Sequence, residues 1–384
     1  MVRFIAFLMV FLWHVLPPAH DSWVVNRLGV DAAALYAATL NGLRFGLCLF
    51  FTLSAFLIFE LLLRERQSTG SASIKRFYLR RILRIWPLYY LGLLLGLWWA
   101  FTLGSGADNL PALGSFAVFA GSWFVTTHDW MYSPADVLWS ISVEEQFYLV
   151  APWLAKYCGR GVLFGFCALV VAVSNWTLYI VAGKDGPIDK TWSNSLVQFE
   201  CFAAGILLCL CLNGRIPRMR AAVRAVVFAG AATSWLIAGS LFNAFYQSGP
   251  GSGSWQLMVS YALAGFGSSL VLLAMLDFRM GRDSRWAVHL GRISYGLYVF
   301  HEFVIELFAR IPTRVGVNTL RSLPLRGGLE LVIRVVAPLL VTWALAELSY
   351  RFFERPFLRL KERLEAIATK PQQGAEKPAI AAAR

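Results

Sequence analysis

Ten stretches of this 384-residue chain are apolar over a length that suits a bilayer crossing: residues 4 to 18, 45 to 63, 86 to 104, 139 to 154, 162 to 182, 195 to 212, 225 to 242, 256 to 276, 286 to 309 and 327 to 348. A backbone in hydrocarbon has to satisfy its own N–H and C=O groups, so segments of this kind fold as helices. The expected fold is therefore all-α, a polytopic membrane helical bundle of about ten transmembrane helices. Composition agrees: 58% of residues are hydrophobic, 15 are tryptophan, and the mean hydropathy is +0.59, far too apolar for a water-soluble globule.

The basic residues orient this bundle. With both termini in the cytoplasm, the inside segments hold 25 of the 35 Lys and Arg and the outside loops hold eight, a positive-inside distribution. That distribution, rather than nucleic acid as partner, accounts for the net charge of +13. The run from Phe4 reads as a retained first span, because no small-residue cleavage site follows it. Residues 112 to 125 are also apolar, yet a span there would place Arg215, Arg218, Arg220 and Arg224 outside, so they read as a re-entrant or periplasmic segment. Residues 1 to 360 are expected to form the membrane domain. After them the composition shifts to Ala, Lys, Pro and Gln, which predicts a disordered cytoplasmic tail over 361 to 384. The six cysteines show no metal-ligand spacing and read as packing residues, and no metal is expected.

Polar groups inside apolar spans are costly and mark function. The first span carries Arg3 and His14, eleven residues apart, which puts them within roughly 20° of one helix face, with His14 about 15 Å along the span. A neutral imidazole there suits a general base that takes a proton from a hydroxyl attacking an acyl carbon. The bland reading is a histidine bonded to a neighbouring helix. Between the second and third spans, Arg76, Arg80 and Arg84 recur at four-residue spacing with Arg81 alongside. Such a stripe can clamp the phosphates of a nucleotide-like ligand such as coenzyme A, or lie on anionic lipid as an interfacial helix. In the run Trp139-Ser140-Ile141-Ser142-Val143-Glu144-Glu145-Gln146-Phe147-Tyr148, the adjacent carboxylates diverge by about 100°, so one of them is expected to face His14. Ser294, Tyr298 and His301 share a stripe in the ninth span, and Glu354-Arg355-Pro356-Phe357 reads as the anchoring end of the tenth.

Together these runs resemble the membrane-bound acyltransferase-3 family over roughly residues 3 to 358. The resemblance rests on Arg3 with His14; on Phe50, Phe51, Leu53 and Ser54; on Arg80, Arg81, Arg84, Ile85, Pro87 and Tyr89; on the WSISVEEQFYL run from Trp139; on Ser294, Tyr295, Leu297, Tyr298 and His301; and on Glu354 to Phe357. Cys48 and Ala55 depart from the family's acidic residue and glycine. The resemblance implies a multi-pass inner-membrane O-acetyltransferase that moves an acyl group from cytoplasmic acyl-coenzyme A, such as acetyl-CoA, to a sugar hydroxyl of an exported glycan or glycoconjugate. It carries His14 over as base and Glu144 as its acidic partner, with Glu145 as the alternative. It assigns Arg3, Ser54, Arg80, Arg81, Arg84 and Tyr89 to the donor, and Trp139, Ser140, Tyr148, Tyr298 and His301 to the acceptor. Two other readings stay open: O-acylation of a small molecule such as a macrolide sugar, and a non-catalytic membrane transporter.

Overall fold

In the computed structural model, which describes residues 1–17, 29–103, 106–128, 130–131, 133–182, 189–247, 254–276, 278, 285–310 and 332–361, the described residues fold into helices and connecting turns without a strand. Seven helices are long and apolar enough to cross a membrane: Asp31–Thr69, Ile74–Thr102, Arg160–Val181, Ser195–Leu212, Ala221–Ser240, Trp255–Met275 and Val332–Lys361. The expected segments at 4 to 18, 139 to 154 and 286 to 309 also form helices, Val2–Val15, Trp139–Tyr157 and Arg285–Ala309. They fall outside the seven because one is short and the other two carry the charged residues of the site.

In chain order we name α1 (Val2–Val15), α2 (Val30–Arg44), α3 (Gly46–Thr69), α4 (Ile74–Thr102), α5 (Leu110–Ala117), α6 (Gly121–Thr127), α7 (Trp139–Tyr157), α8 (Arg160–Ala182), α9 (Ser195–Leu212), α10 (Ala221–Gln247), α11 (Ser254–Met275), α12 (Arg285–Ala309) and α13 (Val332–Lys361). Helix α1 stops at Val15 instead of reaching residue 18. Leu16 is extended, ψ 146°, and Pro17 and Pro18 come next, which lack the N–H groups a further turn needs. Helix α2 lies in the stretch that the sequence pattern leaves as a loop between the first and second spans. It packs on α10, where Asn41 Nδ2 donates to the Gly239 carbonyl at 3.2 Å. The apolar run 112–125 forms two short helices, α5 and α6, which reverse at Phe119 (φ 58°); neither is long enough to cross. The tail beyond Lys361 lies outside the described residues, as does the start of the expected span at 327.

Close packing at small residues fixes the inner helices, as it must where lipid offers no hydrophobic drive between apolar faces. A Cβ on Gly46 would sit 2.6 Å from the Ala6 carbonyl oxygen, so glycine lets α3 approach α1. A Cβ on Gly205 would overlap the Thr52 carbonyl, so glycine likewise seats α9 on α3. Beside it Phe51 stacks on Phe202, centroids 4.7 Å apart, and Phe202 meets Phe147 of α7 at 4.4 Å. Helix α1 is thereby enclosed by α3 and α12, and α12 lies along α13. Near its end α13 opens into a π-helical stretch, Ser349–Glu354, before the α-helical pattern resumes.

Candidate active site

Three cavities adjoin one another through shared side chains. A cavity of about 280 Å³ is lined by His14 and Trp13 of α1, Arg44, Trp139, Trp192 and Glu302, together with Leu47 and Tyr298. Leu47 and Tyr298 also line a much narrower cavity of about 70 Å³, with Arg3, Ser54, Arg81, Arg84 and Glu144. Arg84 and Tyr295 in turn line a basin of about 340 Å³ carrying Arg292, Arg355, Arg359 and Lys361. Arg3 and His14 both face into the bundle, one toward the narrow cavity and one toward the wider cavity beyond it.

His14 meets residues of α12. Its Nε2 lies 3.9 Å from Glu302 Oε2, and its ring is 5.2 Å from that of His301. One nitrogen from each ring and a Glu302 oxygen all lie within 4.8 Å of one another. His301 is fully buried, and its Nδ1 is 2.5 Å from the Tyr298 carbonyl, which can only accept. Nδ1 therefore carries a proton, and Nε2 has no hydrogen-bond partner among the described residues. The trio has metal-ligand chemistry, and its His14–Glu302 separation of 3.9 Å is wider than the ~3.3 Å between donors around an ion bound at ~2.0–2.1 Å.

The carboxylate expected beside His14 is elsewhere. Glu144 accepts from Ser54 Oγ at 2.8 Å and from Tyr148 OH at 2.9 Å, so both its oxygens are held at the narrow cavity. Glu145, about 100° round the same helix, turns toward α4 and accepts from Trp86 Nε1 at 3.1 Å. Glu302 takes the place next to His14 that sequence reasoning gave to Glu144 or Glu145. Its only sequence signal was its position directly after His301.

The other expected residues divide in the same way. Arg81 lines the narrow cavity and lies 5.2 Å over the Tyr148 ring. Arg80 keeps its place on the stripe but is engaged by Glu65, whose Oε2 meets its guanidinium at 3.3 Å. Arg76 is exposed. Tyr89 is wholly buried and donates to the Phe116 carbonyl at 2.6 Å, which ties α5 to α4, and it is not among the residues lining these three cavities. Ser140 and the Tyr298 hydroxyl are 2.6 Å apart, a closed pair at the junction of the two inner cavities. Trp139 faces the histidine side, where Arg44 is sandwiched between Trp13 and Trp192 at 4.9 and 4.8 Å. Trp13 and Trp192 belong to this site although the sequence pattern did not assign them to it.

The chain resembles known proteins over nearly its whole length. It is 26% identical over 368 residues to a peptidoglycan O-acetyltransferase of Listeria monocytogenes, covering 85% of this chain and 54% of that protein. A putative O-acetyltransferase of Staphylococcus aureus (strain COL) is 23% identical over 380 residues, 90% of this chain and 57% of the relative. A putative peptidoglycan O-acetyltransferase of Bacillus subtilis is 26% identical over 347 residues, 82% and 50% respectively. The chain thus spans about half the length of the curated relatives it matches. No solved structure matches it. An acyltransferase domain family matches residues 1–347. With that match running through all but the last helical turns and the tail, the chain belongs to the acyltransferase-3 family.

Proposed function

We propose that this protein is an integral-membrane O-acetyltransferase that passes an acetyl group from acetyl-coenzyme A in the cytoplasm to a sugar hydroxyl of an exported glycan, peptidoglycan being the glycan that two relatives are named for. The observation that carries the reading is the line of adjoining cavities from the arginine basin, past Arg84 and then Tyr298, to His14. A long flexible donor entering at the basic end has its thioester delivered toward the histidine, and an acceptor has the tryptophan-lined chamber.

In this reading His14 Nε2 takes the proton of the acceptor hydroxyl as its oxygen attacks the thioester carbonyl. Glu302, whose Oε2 lies 3.9 Å from that nitrogen, stabilises the imidazolium once the proton is on it. The tetrahedral intermediate collapses with cleavage of the C–S bond, and His14 returns the proton to the departing thiolate. The product is an O-acetyl ester and free coenzyme A. Holding both reactants in one chamber removes the cost of bringing them together, which is where much of the rate comes from. Arg3, Arg81 and Arg84 face the donor, while Tyr298, Ser140 and Trp139 shape the passage.

The full chain, purified into nanodiscs with labelled acetyl-coenzyme A and peptidoglycan fragments, is expected to transfer label, and His14→Ala to lose it while staying folded. Full transfer by that variant would remove His14 from the reaction. Transport of a solute with no acyl transfer would instead support the transporter reading.

A further inference from the structure

The basin of about 340 Å³ holds five cationic side chains, Arg84 of α4, Arg292 of α12, and Arg355, Arg359 and Lys361 of α13, against one carboxylate, Glu354. Glu354 is itself buried and accepts from Ser349 Oγ at 3.3 Å. Arg292, Arg355 and Arg359 make no ion pair among the described residues, whereas Arg351, one turn earlier on α13, is taken by Glu347 at 2.5 Å. Three helices therefore converge to hold like charges around one space. Such an arrangement is stabilised when a polyanion fills it, because guanidinium groups pair bidentately with phosphate oxygens.

We infer that this basin is a polyphosphate-binding site and that it, rather than the Arg76–Arg80 surface of α4, holds the nucleotide diphosphate end of the donor. The inference rests on the donor reading above and adds the place and residues of docking. Size decides the location. The basin falls within the roughly 300–1,000 Å³ of small-molecule pockets, while the cavity beyond Arg84, at about 70 Å³, admits only a narrow chain. A nucleotide must therefore stop at the basin while a slender arm goes on. Arg84 and Tyr295 line both spaces and mark the threshold between them. The Arg80 end of the stripe is already satisfied by Glu65. Arg355, read from sequence as part of an anchoring element, becomes a ligand contact.

The same chemistry would also attract phosphate headgroups of anionic lipid, and the test separates the two. Full-length protein in phosphatidylcholine nanodiscs is titrated calorimetrically with 3′,5′-ADP, which carries the nucleoside with its 3′-phosphate and first 5′-phosphate but neither the second 5′-phosphate nor the pantetheine arm. Binding is expected, weakened about tenfold or more in Arg355→Gln/Arg359→Gln and in Arg292→Gln, and unchanged in Arg76→Gln. The acetyl-coenzyme A KM should rise by a similar factor in the basin variants with kcat nearly constant, and Arg355→Lys should recover part of the loss. Unaltered 3′,5′-ADP affinity in both basin variants overturns the site, as does loss in Arg76→Gln alone. So does a basin that takes no 3′,5′-ADP and governs only retention of phosphatidylglycerol, which would make it a lipid contact. Transfer with an unchanged KM in the basin variants overturns this site and leaves the proposed function standing. Basin-dependent 3′,5′-ADP binding without any transfer does the reverse.

Discussion

Glu302 Oε2 stands 3.9 Å from His14 Nε2 across the contact between α12 and α1, so the carboxylate that can steady this imidazole lies 288 positions away in the chain. Glu144 is bound instead by Ser54 and Tyr148. The two carboxylates should therefore fail differently when changed.

Glu302→Gln is expected to lower kcat about 10- to 100-fold with little change in either KM, less than the roughly 10²–10⁴-fold loss expected for His14→Ala. It should also displace the acid limb of the pH–rate profile, which a purely packing role would leave in place. Steady-state kinetics of both variants across pH 5 to 9 check this.

Glu144→Gln keeps the side-chain volume but weakens two charge-assisted hydrogen bonds, from Ser54 and Tyr148. The expected result is a loss of about 1–3 kcal/mol of stability and a raised donor KM, with turnover retained at saturating donor. Thermal unfolding in detergent, set beside a donor titration, separates the two effects.

Ser140→Leu would crowd the junction where the Ser140 and Tyr298 hydroxyls meet at 2.6 Å. Transfer should fall more than tenfold while calorimetric 3′,5′-ADP binding stays at the wild-type value. A wild-type rate would mean that the donor does not pass Tyr298.

Gly205→Ala puts a methyl group into the Thr52 carbonyl of α3, which is backbone and cannot swing aside. Overpacking of this kind costs about 1–3 kcal/mol or more. Unfolding measurements should show Gly205→Ala far less stable than Gly165→Ala, where a Cβ meets open space.

Tyr89→Phe is expected to lower stability by about 1 kcal/mol through loss of the 2.6 Å bond to the Phe116 carbonyl, with both KM values unchanged. A donor KM that rose would return Tyr89 to the donor site.

Among the described residues the hydrophobic pattern found a helix at each expected stretch, seven of them long and apolar enough to cross, because a bilayer imposes a length and an apolarity on the segments that cross it. It was less informative where helices carry charge: α7 and α12 are both read as helices from sequence, yet their charged residues keep them out of the seven that are long and apolar enough to cross. Helix α2 was missed because its Ala-rich run has little apolar contrast and is placed by packing on α10. At the site, His14, Arg81, Arg84 and Tyr298 were legible as polar residues on apolar or helical stripes. Their partners were not. Periodicity puts Arg76, Arg80 and Arg84 on one face of α4, but it cannot show that Glu65 of a neighbouring helix claims Arg80. Nor can it show that residue 302 folds back beside residue 14.

The π-helical stretch at Ser349–Glu354 sets the angular phase of the last turns of α13. One residue more or fewer in a helix turns the remainder by about 100°. Through this widened turn Arg351 points to Glu347 while Arg355 and Arg359 come round to the basin. Straightening it by a single-residue deletion would swing those two guanidinium groups off the basin while preserving the composition of the surface. The chain's last described helix thus works as an indexing joint, in which backbone winding rather than residue choice decides where its charge is presented.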